Sequence, residues 1–224
     1  MKSPIRVLLA DDQELFRSGV ALSIESQADM RVVGQAENGL QALELIGPAR
    51  PDIVLMDLRM PHMDGVEATR RIFAPEMAML RDHPMRVIVL TTFDLDDRAA
   101  TAIRYGASGF LLKDATPDFL RSAIRTVHAG NSVLLPNDLQ ALFQQGLTPR
   151  TPLPEAYLSL TEKEREILRA VAEGMSNSEI ARHVFLSEST VKTHVSGILR
   201  KLRLRDRVQI VVFAYQHGLC RARG

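Results

Sequence analysis

Five short apolar runs, separated by helical patterns, constrain the fold of this chain more than any other feature. Runs of this length without polar alternation are typical of strands that are buried on both faces of a parallel sheet. They predict strands at 5–10, 31–35, 53–56, 87–90 and 109–112. Repeated alternation of strand and helix predicts a doubly wound α/β domain with a five-stranded parallel sheet.

Capping residues mark the ends of two helices in this half. Asn38 predicts the N-cap of a helix that runs to about Ala49. Thr116 and Pro117 predict the start of a later helix, which Gly130 closes, because proline fits the first helical position and glycine fits the position just past the end.

Polar residues follow four of the five predicted strands. Asp11 and Asp12 follow the first strand, Asp57 the third, Thr91 the fourth and Lys113 the fifth. Ligands of such sheets bind at the carboxyl ends of the strands, so these side chains are expected to converge on one edge. Carboxylates that lie together repel one another unless a cation lies among them. Mg²⁺ suits this set because it binds a few carboxylate oxygens and keeps several waters.

These residue types together indicate phosphoryl chemistry. A carboxylate beside Mg²⁺ and a lysine can attack a phosphoryl donor and form an acyl phosphate. Thr91 can then hydrogen-bond one phosphoryl oxygen, and Lys113 can pair with another. A single aspartate at a strand end is more often a helix cap or a turn residue. Five such groups at the ends of four strands instead favour one shared site.

Five stretches of this half resemble the receiver domains of two-component response regulators. They are VLLADD at 7–12, DIVLMD at 52–57, MPHMDG at 60–65, VIVLT at 87–91 and GASGFLLK at 106–113. The resemblance covers about residues 4–130 and implies a flavodoxin-like fold.

The resemblance also implies a role for each polar residue. Asp57 would be the phosphoacceptor, and a phosphohistidine on a sensor histidine kinase would be the donor. Thr91 and Lys113 would sense the phosphoryl group, and Phe110 would occupy the aromatic switch position. The implied Mg²⁺ ligands are the side chains of Asp11, Asp12 and Asp57 and the backbone carbonyl of Arg59.

Three features depart from the usual receiver pattern. Asp114 follows Lys113 where proline is frequent, so a cis peptide bond is less expected there. The segment 73–86 is several residues longer than usual and predicts an irregular loop or an extension of the preceding helix. Arg59 and Phe93 are bulky at the two positions that control access of water, and we hypothesise that they slow loss of the acyl phosphate.

The chain changes character after residue 130, and we predict a linker at 131–157 between a first domain at 1–130 and a second at 158–224. Prolines and glycines punctuate this stretch, which has one short helical run at 139–145. Residues 1–150 carry a net charge of −3 and residues 151–224 a net charge of +4, within a total of +1. This asymmetry predicts that only the second domain contacts a polyanion.

The second domain has helical patterns and no strand patterns, which predicts a small all-α domain. The stretches 161–164 and 176–179 have the sequence of capping boxes. Ser187 predicts the start of a longer helix to about Leu202, and Asp206 caps a last helix that ends near Gly218. A short helix, a tight turn and a longer helix with a polar, basic face are the plan of a helix-turn-helix.

Three stretches resemble the LuxR-type DNA-binding domain: LTEKEREIL at 160–168, SNSEIA at 176–181 and STVKTHV at 189–195. Joined to a receiver, they resemble the NarL/FixJ class of response regulators. The class implies a homodimer on activation, paired through the helix at 206–217. The predicted contacts to double-stranded promoter DNA are Thr190, Lys192, Thr193, Ser196, Arg200 and Lys201.

Two residues depart from the LuxR-type pattern. Phe185 stands where glycine is frequent, so a left-handed turn there would be strained. Gly197 lies inside the longer helix, where glycine costs about 1 kcal/mol relative to alanine, and we expect it to permit a close approach.

The sequence therefore predicts a transcription factor that is phosphorylated on Asp57 and is not an enzyme beyond accepting and hydrolysing its own phosphoryl group. A lone cysteine, Cys220, excludes an intrachain disulfide, and no apolar run approaches a membrane span, so we expect a cytoplasmic protein. One alternative is a phosphorylation-independent DNA-binding regulator whose receiver serves as a dimerisation module. Another is a phosphohydrolase with an aspartyl-phosphate intermediate, for which the residues beside Asp57 supply no general acid.

Overall fold

The computed structural model describes residues 3–79, 84–92, 97–131 and 152–219. The chain divides into two compact units, Met1–Val133 and Leu134–Gly224. Within the described ranges, no helix combines the length and the apolar character needed to cross a membrane.

The first unit is built on a sheet of five parallel strands, in the order β2-β1-β3-β4-β5. The strands are β1 (Ile5–Ala10), β2 (Met30–Ala36), β3 (Ile53–Asp57), β4 (Arg86–Thr91) and β5 (Gly109–Leu112). The predicted fold class is confirmed, and every predicted strand is present with ends that differ by at most one residue. The strand order reverses between β1 and β3, and a ligand site is expected at the carboxyl ends of the strands at such a reversal.

Helices cover both faces of this sheet. They are α1 (Glu14–Glu25), α2 (Gly39–Ala49), α3 (Gly65–Ile72), α4 (Pro75–Met79), α5 (Asp97–Tyr105) and α6 (Pro117–His128). On one face, apolar residues of α1 and α6 pack against alternate residues of the strands. Ile24 of α1, for example, belongs to the same core as Val7 and Leu9 of β1. On the other face α2 packs on β1 and β2 while α3 contacts α2 and α5.

The predicted helix caps of this unit are confirmed. The Asn38 side chain accepts a hydrogen bond from the Gln41 backbone amide at 3.0 Å. Thr116 caps α6 in the same way, and Gly130 beyond its end has a φ of +86°.

The segment 73–86 does not match either predicted form in its described part. Helix α3 ends at Ile72, and a separate short helix, α4, begins at Pro75. Proline suits this place because the first helical residue needs no free backbone N–H. Residues 80–83 lie outside the described residues.

The second unit is helical throughout its described residues. Its helices are α7 (Glu155–Leu158), α8 (Glu162–Ala172), α9 (Asn177–His183), α10 (Glu188–Leu202) and α11 (Arg207–Gln216). The last four were predicted, and both predicted capping boxes are present, Thr161 with Glu164 and Ser176 with Glu179. The single turn of α7 was not predicted, since it follows Pro154 in the proposed linker. Linker residues 132–151, with the helical run expected at 139–145, lie outside the described residues.

The tight turn between α9 and α10 contains a left-handed residue. The Leu186 amide donates to the Ala181 carbonyl at 2.9 Å, and Phe185 between the helices has a φ of 55°. In α10, a Cβ at Gly197 would lie 3.1 Å from Glu164 Oε1. The glycine therefore permits the close approach of α10 to α8.

Candidate functional site

Three carboxylates lie together where β1 and β3 end. Asp11 and Asp12 follow the last residue of β1, and Asp57 is the last residue of β3, the neighbouring strand. One oxygen from each of the three side chains lies within 4.8 Å of the others. Asp11 and Asp57 are buried, whereas Asp12 is exposed.

The Lys113 ammonium bridges the two buried carboxylates. Its Nζ lies 2.7 Å from Asp11 Oδ2 and 2.9 Å from Asp57 Oδ2. Lys113 follows β5, and its backbone amide donates to the Thr91 carbonyl at 2.7 Å. This hydrogen bond holds the Lys113 backbone at the same edge of the sheet. All three charged side chains are less than a tenth exposed.

The two buried carboxylates share a single ammonium, so Lys113 compensates only one of their two charges. Burial raises the pKa of Asp57 above its ordinary value and outweighs the hydrogen bond and charge of Lys113, while the nearby Asp11 charge raises it further. Burial acts to lower the pKa of Lys113, but contacts with Asp11 and Asp57 outweigh it and hold that pKa above its ordinary value. Two buried carboxylates that share one ammonium favour the arrival of a further cation.

Backbone amides orient the two buried carboxylates. The Arg59 amide donates to Asp57 Oδ1 at 3.2 Å, and the Gln13 amide donates to Asp11 Oδ1 at 2.9 Å. Asp11 Oδ2 is buried and receives no directed hydrogen bond from the described residues, although the Lys113 ammonium is close in distance. This oxygen and the exposed Asp12 carboxylate are hard oxygen donors of the kind that Mg²⁺ binds, so the residues fit the ion.

Gly65 allows the helix after the site to approach the backbone of Asp57. A Cβ at residue 65 would lie 2.0 Å from the backbone oxygen of Asp57, a distance no side chain can adopt. The Gly65 amide contacts the Leu58 carbonyl at 3.3 Å, and Asp64 caps α3. Gly65 belongs to the motif MPHMDG, but this contact could not be predicted from the motif, because it depends on the tertiary position of α3.

Thr91, Phe110 and Arg59 occupy three different places around the cluster. Thr91 is the buried last residue of β4, one position beyond the residue that pairs with Asp57. Phe110 is half-buried in β5, two residues before that strand ends. The Arg59 side chain is exposed and lines an open polar groove together with Asp12, Asp64 and Arg98. Phe93 lies outside the described residues.

An aromatic ring that the sequence analysis missed also contacts the lysine. Lys113 Nζ lies over the Phe16 ring, 5.0 Å from its centroid. Phe16 is on α1 and Lys113 follows the last strand of the sheet. No local pattern in the sequence indicates a contact between residues so far apart.

In the second unit, α10 presents a polar and basic face. Lys192, Thr193, Ser196 and Arg200 are exposed and recur at helical spacing. The Thr193 and Ser196 hydroxyls donate to backbone carbonyls four residues earlier. Thr190 is partly exposed, and its amide donates to the Ser187 hydroxyl at 3.1 Å.

Lys201 differs from the other predicted DNA contacts because its partners are on other elements and one of them is a buried carboxylate. Its Nζ lies 2.7 Å from Glu164 Oε2 and 3.1 Å from the Ser159 carbonyl. Its side chain is 28% exposed and that of Glu164 is 8% exposed. The structure therefore gives Lys201 a contact that joins α10 to the start of α8, rather than a place on the open face of α10.

Two family models together match most of the chain. Residues 7–125 match the response regulator receiver domain, and residues 158–214 match the bacterial regulatory proteins of the luxR family.

Similar proteins align over nearly their full length. The response regulator protein VraR of Staphylococcus aureus is 39% identical over 216 residues, covering 96% of this chain and 98% of VraR. The transcriptional regulatory protein LnrK of Bacillus subtilis is 37% identical over 222 residues, covering 96% and 98%. Among solved structures, the response regulator ChrA of a heme-sensing two-component system is 33% identical, with a TM-score of 0.51 over 97% of this chain and all of that one.

Proposed function

Because the chain belongs to the response regulators that join a receiver domain to a LuxR-type DNA-binding domain, and so to the transcription regulators, we propose that phosphorylation of Asp57 controls its binding to promoter DNA. The phosphoryl donor is a phosphohistidine on a sensor histidine kinase, and the protein acts in the cytoplasm as a homodimer once activated. The receiver spans residues 1–130, the linker 131–157 and the DNA-binding domain 158–224.

The observation that carries this proposal is the Lys113 ammonium between two buried carboxylates, at 2.7 Å from Asp11 and 2.9 Å from Asp57. A purely structural ion pair would need one carboxylate for one ammonium. The second buried carboxylate, together with exposed Asp12, makes a site that is incomplete without another cation. Such a site at the carboxyl ends of parallel strands supports ligand chemistry better than it supports stability.

Mg²⁺ is the cofactor that these residues suit. Its ligands would be the carboxylates of Asp11, Asp12 and Asp57 and the backbone carbonyl of Arg59. When bound, the ion offsets the excess negative charge and stabilises charge that develops on the phosphoryl oxygens.

The transfer step uses the Asp57 carboxylate as the nucleophile. A carboxylate oxygen forms a bond to phosphorus while the bond from phosphorus to the donor nitrogen breaks, and the departing imidazole keeps that electron pair. The Lys113 ammonium then pairs with a phosphoryl oxygen, and the Thr91 hydroxyl donates to another. Arg59 and Phe93 restrict access of water to the acyl phosphate and so prolong its lifetime.

The added charge links the site to the rest of the protein. A phosphoryl group adds about two negative charges beside Thr91 and Lys113. Movement of these residues repacks Phe110, which alters the pairing of two copies of the chain. The DNA-binding domains then bind paired half-sites through α10, where Thr190, Lys192, Thr193 and Ser196 contact bases and Arg200 contacts phosphate.

Intact mass spectrometry tests the first step. The full chain is incubated with Mg²⁺ and acetyl phosphate. The controls are the Asp57→Ala variant under the same conditions and wild-type protein with excess chelator. We expect a gain of one phosphoryl group in the wild type with Mg²⁺ only. Electrophoretic mobility of promoter DNA with the same samples then measures whether phosphorylation tightens binding.

If acetyl phosphate does not phosphorylate the wild-type protein, the experiment is repeated with a phosphorylated sensor kinase as the donor. If neither donor labels Asp57 and the chain still binds promoter DNA as a dimer, the proposal is wrong. The receiver would then serve as a phosphorylation-independent dimerisation module.

A further inference from the structure

Phe16 lies between the apolar core of the first unit and the Lys113 side chain. The ring is half-buried and packs at the border of the apolar core between α1, α6 and the sheet. On another side it lines an apolar cavity of about 280 Å³, together with Leu15, Leu112 and Lys113.

The ring faces the ammonium that bridges the two buried carboxylates. Lys113 Nζ lies 5.0 Å from the ring centroid, within the range over which an aromatic face attracts an ammonium. The same Nζ contacts the buried Asp11 and Asp57 carboxylates. Because these groups are shielded from water, the attraction between ring and ammonium is stronger than at an exposed site.

The ring also differs from the carboxylates in what happens to it during phosphoryl transfer. Asp57 loses its free carboxylate when it becomes an acyl phosphate, so Lys113 must exchange that ionic partner for a phosphoryl oxygen. The Phe16 face carries no formal charge and is unchanged by the reaction. It therefore remains a contact for the ammonium both before and after transfer.

We propose that Phe16 is a positioning residue for phosphoryl transfer, whose aromatic face keeps the Lys113 ammonium over the carboxylates where the phosphoryl oxygens arrive. The inference rests on the proposed function, because it assigns Phe16 a part in the reaction at Asp57. Phe16 acts through Lys113 and does not touch the phosphoryl group itself.

Two substitutions of Phe16 separate the aromatic face from its bulk. Phe16→Leu keeps an apolar side chain without a π-face, and Phe16→Tyr keeps the face, with room in the adjoining cavity for the added hydroxyl. Leu15→Ala is the matched control, since Leu15 lines the same cavity from the same helix but is 89% exposed. Thermal unfolding of all three full-length variants shows whether the fold is retained.

The rate of acyl phosphate formation from acetyl phosphate, at saturating Mg²⁺, is the first readout. We expect Phe16→Leu to slow it by about two- to thirty-fold, the range that corresponds to cation–π energies. Phe16→Tyr and Leu15→Ala should retain the wild-type rate to within about twofold. A wild-type rate in Phe16→Leu, or an equal loss in Phe16→Tyr, would overturn the inference.

A spectroscopic readout tests the contact without phosphorylation. The chain has only five lysines, so selective ¹³C labelling of lysine ε-carbons gives few NMR signals, and Lys113→Arg identifies the one from Lys113. A ring face should shift the Lys113 ε-proton signals upfield in the wild type and in Phe16→Tyr, but not in Phe16→Leu. If the signal does not differ between wild type and Phe16→Leu, the ring does not face the ammonium and the inference is wrong.

The two readouts separate this inference from the proposed function. A wild type that is labelled on Asp57, with no effect of Phe16→Leu, overturns the role of Phe16 alone. A wild type that no donor labels overturns the proposed function, and with it any part for Phe16 in transfer, even if the NMR signal shows the contact.

Discussion

Phe185 has a left-handed backbone, with a φ of 55°, and its side chain is 94% exposed. The left-handed region costs about 1–2 kcal/mol for a residue with a Cβ, and so exposed a ring returns little packing energy. We predict that Phe185→Gly raises the free energy of unfolding of the second unit by about 0.5–1 kcal/mol, because glycine also adds entropy to the unfolded chain. Urea denaturation followed by circular dichroism measures it.

Phe185→Ala is the control for this prediction. Alanine removes the ring but keeps the Cβ, and with it the strain of the left-handed conformation. A gain in stability for alanine as large as that for glycine would mean that the ring, and not the backbone, is the source of the cost.

Glu188 pairs with Lys192, one of the predicted base contacts, at the start of α10. The two charged groups lie 3.0 Å apart and both side chains are about half exposed. Glu188→Gln removes a charge that competes with DNA for Lys192 and that repels phosphates. We predict about two- to fivefold tighter binding to promoter DNA, the size of an exposed ion pair.

Fluorescence anisotropy on promoter DNA and on an unrelated duplex measures the effect of Glu188→Gln. Glu173→Gln makes the same change of charge at an exposed position outside α10. Equal gains for the two variants would mean that net charge alone, and not release of Lys192, is responsible.

At the scale of secondary-structure elements, Glu164 connects two helices. It completes the capping box of α8 through the Thr161 amide at 2.8 Å and binds Lys201 of α10 at 2.7 Å. Burial acts to raise the pKa of Glu164, but hydrogen bonds from Lys201 and Thr161 outweigh it and hold the pKa below its ordinary value of 4.5. The charged carboxylate therefore stabilises the folded state.

We predict that Glu164→Gln lowers the free energy of unfolding of the second unit by about 1–3 kcal/mol at neutral pH. A lowered folded-state pKa gives stability that is fully present above pH 4.5 and is lost as the pH falls through the folded-state pKa. The difference between wild type and variant should therefore shrink in acid. Denaturation at several pH values measures it.

Glu166→Gln is the matched control on the same helix. Glu166 pairs with Lys163 at 2.8 Å, but both side chains are more than 40% exposed. Such a pair contributes about 1 kcal/mol or less. If both variants lose the same free energy of unfolding, the buried contact between Glu164 and Lys201 stabilises the unit no more than an exposed ion pair does.

The elements themselves were largely predictable, because their signals are local. Apolar runs located all five strands, and caps such as Asn38 and Thr161 located helix starts to within a residue. The contacts of Phe16 and Lys201 were not predictable, because each joins elements that are distant in sequence. The close contact of Gly65 with Asp57 lies between consecutive elements, but it depends on the angle at which α3 leaves the loop after β3. Lys201 looked like a DNA contact because its position on α10 is basic, while its partner Glu164 was identified only as a cap.

At the scale of the whole molecule, charge is divided unequally along the chain. The −3 of residues 1–150 repels DNA and the +4 of residues 151–224 attracts it. We predict that binding of the full chain to promoter DNA weakens steeply between low and physiological salt, because phosphate contacts release counterions. Anisotropy titrations at several salt concentrations measure the slope of log affinity against log salt.

Substitution of two adjacent basic residues tests which of them contributes to the salt dependence of DNA binding. Arg200→Gln removes an exposed charge and should reduce the slope by about 1. Lys201→Gln should change it little, because Lys201 is paired with Glu164. Equal reductions would restore Lys201 as a phosphate contact, and binding that does not depend on salt would contradict the predicted interface.

The bridge from Lys113 to Asp11 joins the two ends of the receiver sequence, since Asp11 follows its first strand and Lys113 its last. During translation, Asp11 and Asp57 are added to the chain long before Lys113. A nascent chain that stops short of β5 therefore carries Asp11 and Asp57 without the ammonium that compensates their charge. If Asp57 accepts a phosphoryl group as proposed, we expect transfer to require a receiver that has been synthesised at least through Lys113.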